Sequence, residues 1–327
     1  MVDRRLLLFA LHASAAFGSA VAAALGVPLA AHEEREFEDG EHKARPLEAV
    51  RGADVFVLQS LHSGPEQSAN DKLCRLLFFI GALKDAGAAR VTALTPYLCY
   101  ARKDRRTKPN DPVTTRYVAE LFEAMGTDAV VTLDVHNPAA FENAFRCPTV
   151  ALTAAPLFVD YAKTLLNETL CVVSPDPGGT KRADLFHEAL QDALGRPIGK
   201  AFVDKRRSAG VVSGDLLVGE VKGATALVID DLISTGGTLV RAAKAAKQAG
   251  AARVLALVTH GLFMPGAETA LMDAAIDRIV VTDSVPAFRL GDAAARAKVD
   301  ILPVAPLLAE AIRRLYAGDT LTDLLVF

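Results

Sequence analysis

The chain has 327 residues, 51% hydrophobic and 23% charged, which is enough for two buried cores at the usual domain size. Its 36 basic residues against 39 acidic ones leave a net charge of −3, so no global electrostatic pull toward nucleic acid is expected; with no Trp and 6% aromatics, a base-stacking platform is not expected either. The four cysteines, Cys74, Cys99, Cys147 and Cys171, lack CxxC spacing, which argues against a zinc or disulfide framework and makes a reducing cytoplasm the expected compartment.

Arg4 and Arg5 precede an apolar run that superficially resembles a secretory leader. His12 and Ser14 break that run early, so it reads as a short buried strand, Leu6–Phe9, and an Ala-rich helix, Ser14–Leu25, closed by Gly26. No stretch reaches the ~18 uninterrupted apolar residues that span a membrane. Further strands are expected at Val55–Gln59, Arg90–Leu94, Ala129–Leu133, Thr149–Leu152 and Leu170–Ser174, then at Ala201–Asp204, Thr225–Ile229, Val254–Thr259 and Arg278–Thr282. Helices are expected at Ala69–Ala86, Thr114–Met125, Ala155–Leu166, Lys181–Ala193, Thr238–Ala249 and Gly266–Ala275. Alternation of this kind predicts mostly parallel sheets with right-handed crossovers and ligands at the carboxyl ends of the strands. A coarse repeat, VVTLDVH at Val130–His136 and LVIDDLI at Leu227–Ile233, places a domain boundary near residue 150.

The motifs fall at those strand ends. Residues 224–251 read as strand, loop and helix, with Asp230 and Asp231 closing the apolar run and Ser234, Thr235, Gly236, Gly237 and Thr238 following. Adjacent glycines let successive N–H groups converge on one anion, two Thr hydroxyls add donors, and the helix start adds partial positive charge. The carboxylates suit sugar hydroxyls, so the segment asks for a ribose 5-phosphate. SPDPGGTKR, residues 174–182, puts Asp176 at a strand end and Lys181 and Arg182 in the next helix's first turn, where two cations suggest an anionic neighbour. In the proline-rich segment 95–122, Arg102, Lys103, Arg105, Arg106 and Lys108 are five cations within seven residues, a density that fits polyphosphate. His136 follows an apolar strand and, with Asp134 and Asp176, is a candidate magnesium or Mg–nucleotide contact, although magnesium prefers oxygen. Lys205, Arg206 and Arg207 lie in a loop suited to closing over a transferring phosphoryl group.

Together these motifs resemble the ribose-phosphate diphosphokinase (phosphoribosyl-pyrophosphate synthetase) family over essentially the whole chain. The resemblance rests on FEDGE, DVFVLQS, PYLCYARKDR, TLDVH, SPDPGG, DKRR, DDLISTGGT, THG and the tail VAPLLAEAIRRL. It implies an α/β protein of two similar phosphoribosyltransferase-type domains, each a mostly parallel sheet flanked by helices. Residues 1–150 would form a degenerate, ATP-side domain. Residues 151–327 would carry the ribose 5-phosphate loop, with the last helix packing back on the first domain. The implied reaction moves the diphosphoryl group of Mg-ATP to the anomeric hydroxyl of ribose 5-phosphate, giving phosphoribosyl diphosphate (PRPP) and AMP. Phe37, Asp39 and Glu41 would contact adenine across a subunit interface, and Arg102, Lys103, Asp104 and His136 would hold ATP. His136 and Asp176 would hold Mg²⁺, Lys205 and Arg207 would stabilise the transition state, Asp230 and Asp231 would take the ribose hydroxyls, and Ser234–Thr238 the 5-phosphate. The family assembles from dimers, commonly into hexamers; no nucleic-acid or membrane partner is implied. Lys103 stands where Gln is common, Ser234 where bacterial members have an acid, SAGVVSGD replaces the usual Pro-rich stretch after KRR, and LHSGPEQSA at Leu61–Ala69 also departs from the common form. Two alternatives share parts of this pattern: a nucleobase phosphoribosyltransferase and a non-catalytic PRPP-synthetase-associated subunit.

Overall fold

The computed structural model describes residues 4–208 and 211–325, and the side chains of residues 4–204 and 216–325. The chain divides into two compact units: Met1–Thr153 with Val304–Val326, and Ala154–Pro303.

In the first unit β1 (Leu6–Ala10) feeds α1 (Ala15–Leu25), which ends on Gly26 in the left-handed region. Gly18 lets α1 sit close on β1, since a Cβ there would come within 2.1 Å of the Ala10 Cβ. A hairpin follows, β2 (His32–Glu36) and β3 (His42–Pro46). Then come β4 (Asp54–Leu58), α2 (Ala69–Asp85), β5 (Arg90–Thr95), α3 (Thr114–Ala124), β6 (Ala129–Leu133), α4 (Pro138–Ala144) and β7 (Thr149–Leu152). The start of α2 is set by a capping box, Ser68 and Asp71 each accepting the other's backbone N–H. The sheet is wholly parallel, in order β1-β4-β5-β6-β7. β4 is buried throughout, as a strand covered on both faces must be.

The second unit runs α5 (Ala155–Ala162), β8 (Leu170–Ser174), α6 (Thr180–Leu194), β9 (Gly199–Ser208), β10 (Val211–Gly219), β11 (Thr225–Ile233) and α7 (Gly237–Gln248). It closes with β12 (Arg253–Gly261), α8 (Ala267–Leu271), β13 (Arg278–Thr282), α9 (Ala293–Ala297) and β14 (Val299–Leu302). Its sheet has the order β10-β9-β8-β11-β12-β13-β14, and only β10 is antiparallel to its neighbour. α10 (Ala305–Ala317) then belongs to the first unit. There the Arg90 guanidinium donates to the Leu315 carbonyl at 3.1 Å and the Tyr316 hydroxyl to the Arg4 carbonyl at 2.6 Å.

Both sheets are of the parallel, helix-flanked kind expected. Four strands were not anticipated. β2 and β3 read HEERE and HKARP, and their charges mask the ladder; Arg45 and Lys43 on β3 pair with Glu33 on β2 instead. β10 and β14 lie at sheet edges, where the apolar signal is weak. β11 also runs further than its apolar core, through both aspartates to Ile233, because it continues to pair with β12 as far as Ile233 opposite Gly261. The helix expected over Gly266–Ala275 stops at Leu271.

Candidate active site

In a parallel sheet the carboxyl ends of the strands share one edge, and the chemistry-bearing segments of the second unit gather there. Asp230 and Asp231 are the sixth and seventh residues of β11. The Asp231 N–H donates to Asp230 Oδ1 at 2.9 Å, so the two carboxyl groups are held close. Arg182, in the first turn of α6, approaches both: its Nη1 lies 3.4 Å from Asp231 Oδ1 and 3.7 Å from Asp230 Oδ1. For Arg182 the anionic neighbour suggested by two first-turn cations is thus this acidic pair, while Lys181 is exposed. Burial and the adjacent Asp231 push the Asp230 carboxyl well above the usual carboxylate range, and Arg182 only partly offsets this.

That shift has a measurable sign. Below the ordinary carboxylate value Asp230 is protonated in both folded and unfolded chains. As pH rises above it the unfolded chain ionises first, so stability falls through the window up to the raised folded value. Asp230→Asn removes this term. The variant is expected to melt a few degrees above the parent at pH 8, the gain shrinking toward pH 4. Melting curves across that range check it; a difference that does not vary with pH would refute the upward shift of Asp230.

After Ile233 the chain turns through Ser234, Thr235 and Gly236, with Gly236 at φ 80°, and α7 begins at Gly237. The Ile233 and Ser234 carbonyls are occupied by backbone N–H groups of Leu262, Phe263 and Met264, at 2.9–3.2 Å. Those contacts anchor the turn from the β12 side, while the first-turn N–H groups of α7, which by helix geometry have no i−4 acceptor, face outward from the helix start. On β8's exit Asp176 caps the short turn Pro177–Gly179, accepting the Gly179 N–H at 3.0 Å, and its carbonyl accepts from the Ser174 hydroxyl at 2.7 Å. β9 pairs with β8 only as far as Phe202; beyond it, Val203–Ser208 pair with β10 alone, a two-stranded ribbon past the carboxyl edge. Lys205 and Arg207 belong to that ribbon by backbone; their side chains lie outside the described residues.

In the first unit the basic segment follows β5 and is organised by a residue the sequence reading passed over, Asp111. Its Oδ2 accepts from Lys103 Nζ at 2.7 Å, the Thr107 hydroxyl at 2.7 Å, the Thr107 N–H at 3.1 Å and the Lys108 N–H at 3.0 Å. Lys103 is therefore turned onto Asp111, while Arg102, Arg105 and Arg106 are exposed. The Lys103 ammonium and the Thr107 donors hold the Asp111 carboxyl far below the usual range. Asn137, also passed over, caps α4 by accepting the Ala140 N–H at 3.1 Å and donates from Nδ2 to Asp104 at 2.6 Å. It ties the basic segment to the loop after β6, where exposed His136 stands. The available signal was an Asn-Pro step before a helix, an N-cap signature. Phe37, Asp39 and Glu41 occupy a separate connection, the exposed β2–β3 turn, closed by the Phe37 N–H to the Glu41 carbonyl at 2.7 Å; Arg35 lies 5.1 Å over the Phe37 ring.

An acidic pair followed by a glycine turn and a helix start, at the carboxyl edge of a parallel sheet, defines a protein of the phosphoribosyltransferase fold class. Comparisons with known proteins narrow the class. Residues 6–126 match the N-terminal domain of ribose phosphate pyrophosphokinase, and residues 213–326 the phosphoribosyl synthetase-associated domain. The chain is 40% identical over 308 residues to a ribose-phosphate pyrophosphokinase of Caldanaerobacter subterraneus subsp. tengcongensis, covering 94% of this chain and 93% of the relative. It is 37% identical over 326 residues to the Ralstonia nicotianae enzyme of the same name, covering 99% of each. A phosphoribosylpyrophosphate synthetase from Mycobacterium smegmatis superposes with a TM-score of 0.84 at 34% identity, over 96% of this chain and 100% of that one. The chain belongs to the ribose-phosphate pyrophosphokinase family, transferases of nucleotide biosynthesis.

Proposed function

We propose that the chain transfers the β,γ-diphosphoryl group of Mg-ATP to the anomeric hydroxyl of ribose 5-phosphate, yielding PRPP and AMP. The observation that carries this reading is the Arg182-flanked pair Asp230–Asp231 leading directly into the turn Ser234–Gly236 and the start of α7. The carboxylates would accept the ribose hydroxyls; the turn, with Thr235 and Thr238, would seat the 5-phosphate. The first unit would supply the donor side. Arg102 and Asp104 would hold the nucleotide, with His136 beside them through Asn137, and Phe37, Asp39 and Glu41 would meet adenine. Lys205 and Arg207 would offset charge on the group in flight.

The donor set fits magnesium. Asp176 is fixed by the Gly179 N–H at the end of β8, and one or two carboxylates completed by substrate phosphates is magnesium's usual coordination. Asp176 would hold the ion, which when bound neutralises polyphosphate charge; His136, a nitrogen donor on the first unit, suits magnesium less. This chain's own residues position the sugar in line, exclude water and balance charge around the transferring group.

The direct test measures AMP formed from ATP, Mg²⁺ and ribose 5-phosphate; a rate no higher than the no-sugar control overturns the proposal. Lys103 serves that chemistry through Asp111, so Asp111→Asn is expected to raise the KM for ATP about tenfold with kcat within about twofold, because binding geometry is lost but no transition-state contact. ATP saturation curves check this; a kcat loss with unchanged KM would contradict it. We further read the chain as a homo-oligomer built from dimers, with the exposed Phe37–Glu41 turn reaching a second copy, and as cytoplasmic. Its four cysteines are unpaired, and among the described residues no helix is long and apolar enough to cross a membrane. Light scattering that returned a monomer would remove the first of these.

A further inference from the structure

Away from the segments above, the first unit brings together three donors that the proposed reaction does not use. His12 opens the short turn after β1, and His32 and Glu34 stand two residues apart on β2, hence on one face of the strand. His32 Nε2 lies 2.9 Å from Glu34 Oε1, and His12 Nδ1 lies 3.8 Å from the same oxygen. The Glu34 side chain is 4% exposed and that of His32 is 8%, whereas that of His12 is 59% exposed.

The geometry points to a site for a borderline transition-metal dication of the Zn²⁺ or Co²⁺ kind, held by His12, His32 and Glu34 with a fourth position open to solvent on the His12 side. A hydrogen bond between His32 and a buried carboxylate would by itself explain two of these residues, but not the third. Donors on a tetrahedral Zn²⁺ lie about 3.3 Å apart, and the observed 2.9 and 3.8 Å bracket that spacing. Two imidazoles on one such ion have ring centroids about 5 Å apart, and those of His12 and His32 are 5.1 Å apart.

The surroundings prepare the ligands. Phe9 and Phe79 contact the His32 ring, with centroids at 6.2 and 5.4 Å, and fix its orientation. The His12 backbone N–H donates to Glu34 Oε1 at 2.6 Å, which holds the carboxylate under the imidazoles. Burial works against ionisation of Glu34, but the hydrogen bonds from His32 and the His12 N–H outweigh it and keep the carboxyl below its ordinary range. Two nitrogen ligands do not suit magnesium, so the site would discriminate against the ion used in catalysis.

Its placement gives the ion a structural consequence. His12 leaves the carboxyl end of β1, and Glu34 lies three residues before the exposed turn that begins at Phe37. A bound ion would clamp the β2–β3 hairpin to the parallel sheet and stiffen the base of that turn.

Isothermal titration of the full chain with Zn²⁺ under saturating Mg²⁺ tests the proposal. One Zn²⁺ per chain is expected, with Co²⁺ in its place giving the ligand-field spectrum of a four-coordinate ion. His12→Asn, exposed and thus tolerated by the fold, should weaken binding at least about tenfold, as should Glu34→Gln. His136→Asn should leave binding intact. Zn²⁺ should raise the melting temperature of the parent and not of His12→Asn. Equal binding by the parent and His12→Asn, or binding lost only with His136→Asn, overturns the assignment.

Discussion

Gly236→Ala is expected to lower kcat/KM for ribose 5-phosphate by about a hundredfold or more. Two costs meet at this position. Its φ of 80° places a Cβ in the left-handed region, a strain of about 1–2 kcal/mol. The same Cβ would come within 2.8 Å of the Ala270 Cβ on α8, so either α8 or the turn must shift. The turn is the weaker element, being three residues held through the Ile233 and Ser234 carbonyls, and its displacement would misdirect the N–H groups that the proposed 5-phosphate site would use. Gly237 supplies the control. It lies outside the left-handed region and a Cβ there meets no protein atom within 4 Å, so Gly237→Ala should cost far less. Steady-state kinetics on both variants, with circular dichroism to confirm folding, make the comparison. Equal losses at the two positions would show that the harm is not the turn's geometry.

Lys205→Ala is expected to reduce kcat by about 10²–10³-fold while changing the KM values little, because a cation that meets charge only as it develops stabilises the transition state alone. Its backbone belongs to the two-stranded β9–β10 ribbon, paired opposite Asp215 and beyond the last residue that β8 supports. Beyond Phe202 such a ribbon lacks a flanking strand on the β8 side, and so suits an element that moves on substrate binding. Unchanged turnover with a large rise in KM would remove the assigned role.

The helix-flanked parallel architecture was legible because buried parallel strands must be apolar runs: DVFVL, LCVVS and RVLALV announce themselves. The charged hairpin was not, because HEERE and HKARP carry ladder partners whose complementarity exists only once the register is known. The strand, turn and helix start around Asp230, Asp231 and Gly236 were readable from residue type and order alone. The partner of Arg182 was not, since it lies 49 residues away in sequence and meets Asp231 only through the pairing of β8 with β11. Asp111 and Asn137 were hidden for another reason: each acts on backbone and side-chain donors a few residues off, and a local carboxylate or amide in a polar loop looks the same whether or not it organises its neighbours.

The assignment of α10 to the first unit bears on how the polypeptide is made. The first unit is discontinuous: Ala154–Pro303 lie between its two parts. During synthesis the whole second unit leaves the ribosome before α10 does. The packing of α10 on α1, and the Arg90–Leu315 and Tyr316–Arg4 hydrogen bonds, cannot form until residues 305–317 have emerged. The second unit can thus fold on the nascent chain before the first, which is completed only when α10 emerges, so a product truncated before Val304 would hold a whole second unit and an unfinished first one.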